Sequence, residues 1–244
     1  MTLLQVGLSL FLITSCSLQA KIIIMSNLVQ EFDAKPGDLI KGVIKIRNEG
    51  PGITEVELLV EDLLYNYEGQ FFYENTHPRS IKSFLTVPKF ITLEPGQVGT
   101  VPFEIQVPDD ESMKGTYWGI ITIQEEPEKV RAESRGFNLV VQYSLQVILN
   151  FGGGKAEIEW IRAQVKDGVV MLDVENTGTL IVQPMAWMEV EGGGRFKGGK
   201  RRLYPGCSLR FNIPADEVPT GHHGVTAYMD GGGVWWKREY SLEF

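Results

Sequence analysis

Val87–Glu126 reads VPKFITLEPGQVGTVPFEIQVPDDESMKGTYWGIITIQEE, a turn, an alternating strand, a proline-marked loop and a second strand. Pro95-Gly96 marks the turn, because proline presets one backbone angle and glycine accepts the left-handed one. From Thr100 onward Val101, Phe103, Ile105 and Val107 fall on one side, and Thr100, Glu104 and Gln106 on the other. That is the two-residue period of a half-buried strand. Pro108 stops the ladder, since it donates no N–H. Gly115 releases the chain into Tyr117–Ile123, where Tyr117, Gly119, Ile121 and Ile123 share a face. The stretch is one strand-loop-strand unit of a β-sandwich.

Upstream, the same logic gives strands over Ile22–Phe32, Leu39–Asn48, Glu55–Tyr65 and Phe71–Tyr73. Turns lie between them at Lys35-Pro36-Gly37-Asp38 and Asn48-Glu49-Gly50-Pro51-Gly52. Downstream, Glu125–Arg135 is charged, has no apolar face and reads as a solvated loop. It leads into the most regular alternation in the chain, in which Phe137, Leu139, Val141, Tyr143, Leu145, Val147 and Leu149 share one face. Thirteen residues span about 43 Å at roughly 3.3 Å each, whereas ordinary strands run about 5–6 residues. One sandwich does not easily bury such a length, so this apolar edge is the candidate surface for a partner.

Gly152-Gly153-Gly154 follows, and then the plan repeats. Asn176-Thr177-Gly178 echoes Asn48-Glu49-Gly50, and Pro205-Gly206 echoes Pro95-Gly96. Ser208–Ile213 echoes Thr100–Val107, and Pro214…Gly221 echoes Pro108…Gly115. A glycine-rich hairpin is expected over Gly192–Gly199, strands over Lys200–Tyr204 and Val234–Phe244, and a turn at His222-His223. The chain of 244 residues has room for two sandwiches of about 100 residues each. The fold expected is all-β: two tandem immunoglobulin-like β-sandwich domains after an N-terminal leader. Residues 1–20 form the leader, 21–151 the first sandwich and 152–244 the second.

The net charge of −8 is dispersed, which argues against a nucleic-acid partner or an anionic membrane surface. The first charged residue is Lys21. The apolar segment before it reads as a secretory signal peptide, too short to span a bilayer. It has two exits: cleavage after Ala20, or acylation at Cys16 in Ile13-Thr14-Ser15-Cys16, which resembles a lipoprotein signal and would give a lipid anchor. Either way the protein is sent to the periplasm or cell surface. Beyond the leader only Cys207 remains, so the mature chain has no pair for an internal disulfide. No nucleophile elbow, phosphate loop or metal-ligand spacing is present. The chain therefore reads as a non-enzyme with no cofactor and no metal site. Adjacent residues of a strand face opposite ways, so one of Trp235 and Trp236 is exposed and becomes a candidate aromatic contact for sugar or protein.

Several of these residues resemble a known family. Val87-Pro88, Leu93-Glu94-Pro95-Gly96-Gln97, Pro108-Asp109-Asp110-Glu111-Ser112 and Tyr117-Trp118 are similar to the N-terminal domain of the PapD-like periplasmic pilus-assembly chaperones. The charged loop, long strand and second immunoglobulin-like domain follow in that family's order. The resemblance implies a chaperone that binds pilus or envelope subunits by β-strand addition through its long strand. That family holds a subunit's terminal carboxylate with an arginine on the first strand and a lysine on the long one. Neither Ile22–Phe32 nor Phe137–Asn150 contains a basic residue. Lys35-Pro36-Gly37, the Leu-x-Pro-Gly segment, Gly115–Gly119 and Val234–Phe244 also resemble the WxL-interacting surface proteins, which implies an adaptor binding peptidoglycan or a surface protein.

Overall fold

The computed structural model describes residues 22–73, 76–125, 141–231 and 233–244. The leader, Cys16, Phe137, Leu139 and most of the charged loop lie outside the described residues. Those described form strands and connecting turns. The first sandwich is built from β1 (Ile22–Ile24), β2 (Val29–Asp33), β3 (Leu39–Asn48), β4 (Thr54–Glu61), the short hairpin β5 (Leu64–Tyr65) and β6 (Phe71–Phe72), β7 (Leu85–Thr86), β8 (Phe90–Leu93), β9 (Val98–Gln106), β10 (Gly115–Glu125) and β11 (Gln142–Phe151). One sheet runs β1-β3-β9-β7 and the facing sheet β2-β11-β10-β4-β8. Val101, Phe103, Ile105 and Val107 are buried against Ile121, Ile123 and Leu145 across the gap, so the alternation read around Pro95-Gly96 is the core face.

The second sandwich comprises β12 (Ile158–Lys166), β13 (Val169–Asn176), β14 (Met185–Val190), β15 (Arg195–Lys200), β16 (Ser208–Pro214), β17 (His222–Asp230) and β18 (Trp235–Glu243). Its sheets run β12-β13-β16 and β15-β14-β17-β18. The repeat seen in sequence holds at the level of single hydrogen bonds. Asn48 donates its amide to the carbonyls of Gly52 (2.8 Å) and Leu93 (3.0 Å) and accepts from the Gly50 N–H (2.9 Å). Asn176 donates to Leu180 (2.9 Å) and Leu203 (2.9 Å) and accepts from the Gly178 N–H (2.9 Å). Each backbone carbonyl of the pair accepts from the glycine of its Pro-Gly turn, Gly96 or Gly206. Both glycines have φ of 74°, the left-handed conformation that side chains resist.

Three expectations are corrected. Ile22–Phe32 is two strands on different sheets. The Ser26 hydroxyl takes the Lys45 N–H, and the Leu28 carbonyl has already crossed to accept from Gln146. The hairpin expected over Gly192–Gly199 is present, but its second strand begins at Arg195 and runs to Lys200. A register shift between Ala186 and Trp187 absorbs its glycines; of the strand expected over Lys200–Tyr204, Lys200 ends β15 and the rest keeps one bridge, Val182 to Leu203. His222 and His223 lie within β17 rather than in a turn.

The sandwiches share a continuous apolar junction. β10 is buried on both faces: Ile121 and Ile123 point into the first core, while Trp118 and Ile120 join Leu63, Ile148 and Tyr204 in the second. Gly115 is where the backbones touch. Its φ is +77°, and a Cβ there would lie 2.2 Å from the Thr179 carbonyl oxygen. The β5–β6 hairpin reaches across as an arm. Its Tyr67 lies beneath the guanidinium groups of Arg162 and Arg210, at 5.2 and 5.6 Å. Both arginines hold the fully buried Asp173 carboxylate at 2.7 Å.

Candidate partner-binding edge

β11 pairs with β10 along its whole length, from Gln142 to Phe151. On its other side β2 covers only Gln146–Asn150, in parallel. The Gln146 N–H donates to the Leu28 carbonyl (2.7 Å), and the Asn150 carbonyl accepts from the Ala34 N–H (3.0 Å). Even-numbered residues of β11 thus turn their backbone polar groups toward β2. Strand alternation then places the N–H and C=O of Gln142 and Ser144 on the same side, beyond the end of β2. No strand among the described residues pairs with them there. The Tyr143 hydroxyl spans the gap between the sheets and donates to the Ile22 carbonyl (3.0 Å). On the β1–β3 side, Ile23, Met25, Leu28 and Val43 are exposed apolar residues.

The side chains expected to grip a partner are placed differently from that expectation. Leu145, Val147 and Leu149 are fully buried in the first sandwich's own core, and Val141 and Tyr143 are half-buried. A sandwich strand must close one face on the opposing sheet to offset the cost of ordering the chain, and the apolar face of β11 is spent on this. The opposite face is also taken at Ile148, which packs into the junction. What β11 leaves open is backbone.

The open edge ends at a cleft of about 520 Å³ between the sandwiches, lined by Val29, Leu63, Tyr65, Gln146 and Tyr204. Three consecutive cations of the second sandwich, Lys200, Arg201 and Arg202, stand around it. Arg202 bridges β2 and β11: it donates to Glu31 (2.7 Å) and to Gln146 (3.3 Å). The Tyr204 hydroxyl also donates to Gln146, and the Tyr65 hydroxyl donates to the Arg202 carbonyl (2.8 Å). Burial pushes the Tyr204 phenol up to about 12 and also raises that of Tyr65, so both remain neutral donors. Lys200 and Arg201 are exposed. The second sandwich thus brings three cations to this cleft, while β2 and β11 bring none. The run Lys200-Arg201-Arg202 was the available signal in an acidic chain.

The remaining candidates are scattered. Trp235 is 62% exposed, whereas Trp236 turns inward over Gly231, where a Cβ would meet its ring at 2.7 Å. Trp235 stands edge-on to Trp187 (5.3 Å, 83°), and Trp187 itself is covered by Tyr228 and the Arg195 guanidinium. Cys207 is a buried free thiol, pushed up to about 11 by burial. It is a packing residue.

No known sequence family and no curated protein matches the chain. Solved structures do. A chain from the chaperone–tip adhesin complex of CFA/I fimbriae aligns over 90% of this chain and 98% of its own, with a TM-score of 0.52 at 9% identity. The class 5 fimbriae chaperone CfaA aligns over 91% and 98%, with a TM-score of 0.51 at 10% identity. The chain has the fold of the fimbrial chaperones. A chain from the CsuC–CsuE chaperone–subunit complex of Acinetobacter baumannii is also similar, covering 92% of this chain at 12% identity with a TM-score of 0.49.

Proposed function

We propose that this protein is an extracytoplasmic, non-enzymatic chaperone of pilus or other envelope subunits, and that it holds them by β-strand addition at the open segment of β11. The observation that carries this reading is that no strand among the described residues pairs with Gln142 and Ser144 on the side away from β10. An exposed edge of this kind is a template for an added strand. It differs from a generic edge by having a defined end. β2 closes it at Gln146, and there the added strand would run out into the cleft. In a chain of net charge −8, Lys200, Arg201 and Arg202 make that end favourable for an anionic group of the partner. Backbone bonds supply affinity at the edge, and the apolar residues Ile23, Met25, Leu28 and Val43 flank the added strand.

The test is Ser144→Pro. Proline removes the N–H that faces the open side and leaves the bonds to β10 on neighbouring residues intact, a position where sheets tolerate it. Tagged wild type and variant are purified from the native envelope, and the co-purifying subunits are quantified by mass spectrometry. Subunit recovery should fall at least tenfold while the melting temperature moves by only a few degrees. Equal recovery from a folded Ser144→Pro protein would overturn the reading.

A further inference from the structure

The junction contains a buried polar cluster that strand addition does not use. Asp62, just past β4, is completely buried, and its Oδ1 accepts from the Ser80 hydroxyl (2.5 Å). His77 is 7% exposed, with Nε2 3.4 Å from the same oxygen. Asp62 Oδ2 and His77 Nε2 have no hydrogen-bond partner. His77 Nδ1 accepts from the Arg79 N–H (3.2 Å). That bond requires a lone pair on Nδ1, so the neutral ring carries its proton on Nε2, which lies near Asp62 Oδ1 without a hydrogen bond to it.

This cluster is mechanically connected to the contact between the sandwiches. The ring of His77 stacks on Trp118 at 4.1 Å and 22°, and Trp118 packs on Tyr204 of the second sandwich at 5.0 Å. The backbone after His77 is zipped to the same tryptophan. The Trp118 N–H donates to Arg79 (2.9 Å), and the Ile81 N–H donates to Trp118 (3.2 Å). The Arg79 guanidinium donates to the Lys114 and Thr116 carbonyls. A crevice of about 290 Å³ runs along this seam, between His77, Arg79 and Trp118 on one side and Gly178, Pro205 and Gly206 on the other.

We infer that His77 is a proton-operated latch on the domain junction: neutral, it holds the His77–Ser80 loop against Trp118, and protonation releases the loop and loosens the seam. A second proton must go to Nδ1, where it would face the Arg79 N–H, donor against donor. The loop cannot keep that bond. Among the described residues the charged groups facing His77 are Asp62, which favours the cation, and Arg79, which opposes it. The second sandwich contributes no charge along the crevice. Burial is the largest influence and holds the imidazole below its ordinary 6.5, with Arg79 adding to the effect and Asp62 working against it. The sign follows: the unfolded chain takes the proton first. The stabilising contribution is therefore complete above pH 6.5 and is lost as pH falls from there through the folded value.

The latch is read by distance, not by binding, so its failure and that of strand addition are separable. Spin labels are placed at Thr100→Cys and Ser241→Cys, one exposed site on each sandwich, with Cys207 buried and unlabelled. The wild-type distance distribution should be narrow at pH 7.5 and broaden at least twofold at pH 5.0, following the His77 imidazole titration seen by NMR. His77→Phe, which keeps an aromatic ring on Trp118 and cannot titrate, should show the same distribution at both pH values. An unchanged wild-type distribution while His77 titrates would overturn the latch. So would a His77 that stays neutral to pH 4, or a pH response that persists in His77→Phe.

Discussion

The last strands of the two sandwiches contain nearly the same words. β11 has Gln142-Tyr143-Ser144-Leu145-Gln146, and β18 has Glu239-Tyr240-Ser241-Leu242-Glu243. Each lies at the same place, paired antiparallel to the strand before it. In each the tyrosine is half-buried and the leucine buried. The difference is at the flanks. β11 has neutral amides there, and β18 has two carboxylates preceded by Lys237 and Arg238. β18 ends its sheet, and no strand among the described residues is hydrogen-bonded to its far side. Charge is how a sheet edge is made unattractive to another strand. The first sandwich keeps a short neutral gap and the second flanks a longer one with charge, so one fold carries a neutral open edge and a charged one.

The strongest break in this comparison is a charge placed at the shared leucine. Leu145→Asp puts an unpaired carboxylate in a fully buried site, which costs more than about 4 kcal/mol. The first sandwich should lose its cooperative urea transition. Leu242→Asp, at a terminal strand, should cost less, about 3 kcal/mol by the same reasoning. A folded, soluble Leu145→Asp protein would show that the apolar face of β11 is not the core face. A partner-binding test of the proposed function therefore avoids the buried face and uses the backbone variant at Ser144.

The asparagine corners test how far the two sandwiches are one design. Asn48→Ala or Asn176→Ala removes two donors and one acceptor from a buried corner. At about 1–3 kcal/mol per group left unsatisfied, each should cost about 3 kcal/mol, in its own sandwich. Domain-resolved hydrogen exchange reads the two losses separately. A loss below about 1 kcal/mol at either site would mean that its network is replaced by water.

These corners also show what could be read from sequence. Asn48-Glu49-Gly50 and Asn176-Thr177-Gly178, with their Pro-Gly turns, were visible as an echo, because each network is built from residues with strong local preferences. The same holds for the two sandwiches, which follow from two-residue periodicity and turns. The strand that changes sheets between Ile24 and Val29 was not legible: the two polar residues Ser26-Asn27 are a short interruption that an exposed strand position also tolerates, and only Ser26 and Leu28 pairing with distant residues divides it. That switch is what leaves the edge of β11 open beyond Gln146, so the apolar strand could be picked out while the burial of Leu145, Val147 and Leu149 in its own sandwich could not. The contact beneath the β5–β6 hairpin was equally illegible. Asp173 and Arg210 occupy the positions that Lys45 and Thr100 hold in the first sandwich. Nothing local says that one pair is buried beneath Tyr67 of a distant hairpin and the other left exposed.

The smallest predicted effect concerns the flanks themselves. Glu239→Gln with Glu243→Gln turns the β18 segment into the neutral pattern of β11. Both carboxylates are exposed, and their ion pairs with Lys237 and His222 are long, at 3.5 and 4.0 Å. Stability should therefore move by less than about 0.5 kcal/mol. Association is the sensitive readout, because removing charge lowers the barrier to edge pairing without adding a contact. Sedimentation velocity of the double variant should show concentration-dependent self-association that the wild type lacks. Gln142→Glu, the reverse exchange at the first edge, should reduce subunit recovery severalfold with the fold intact. If neither exchange changes association, the neutral and charged flanks are incidental, and β2 alone decides where a partner can enter.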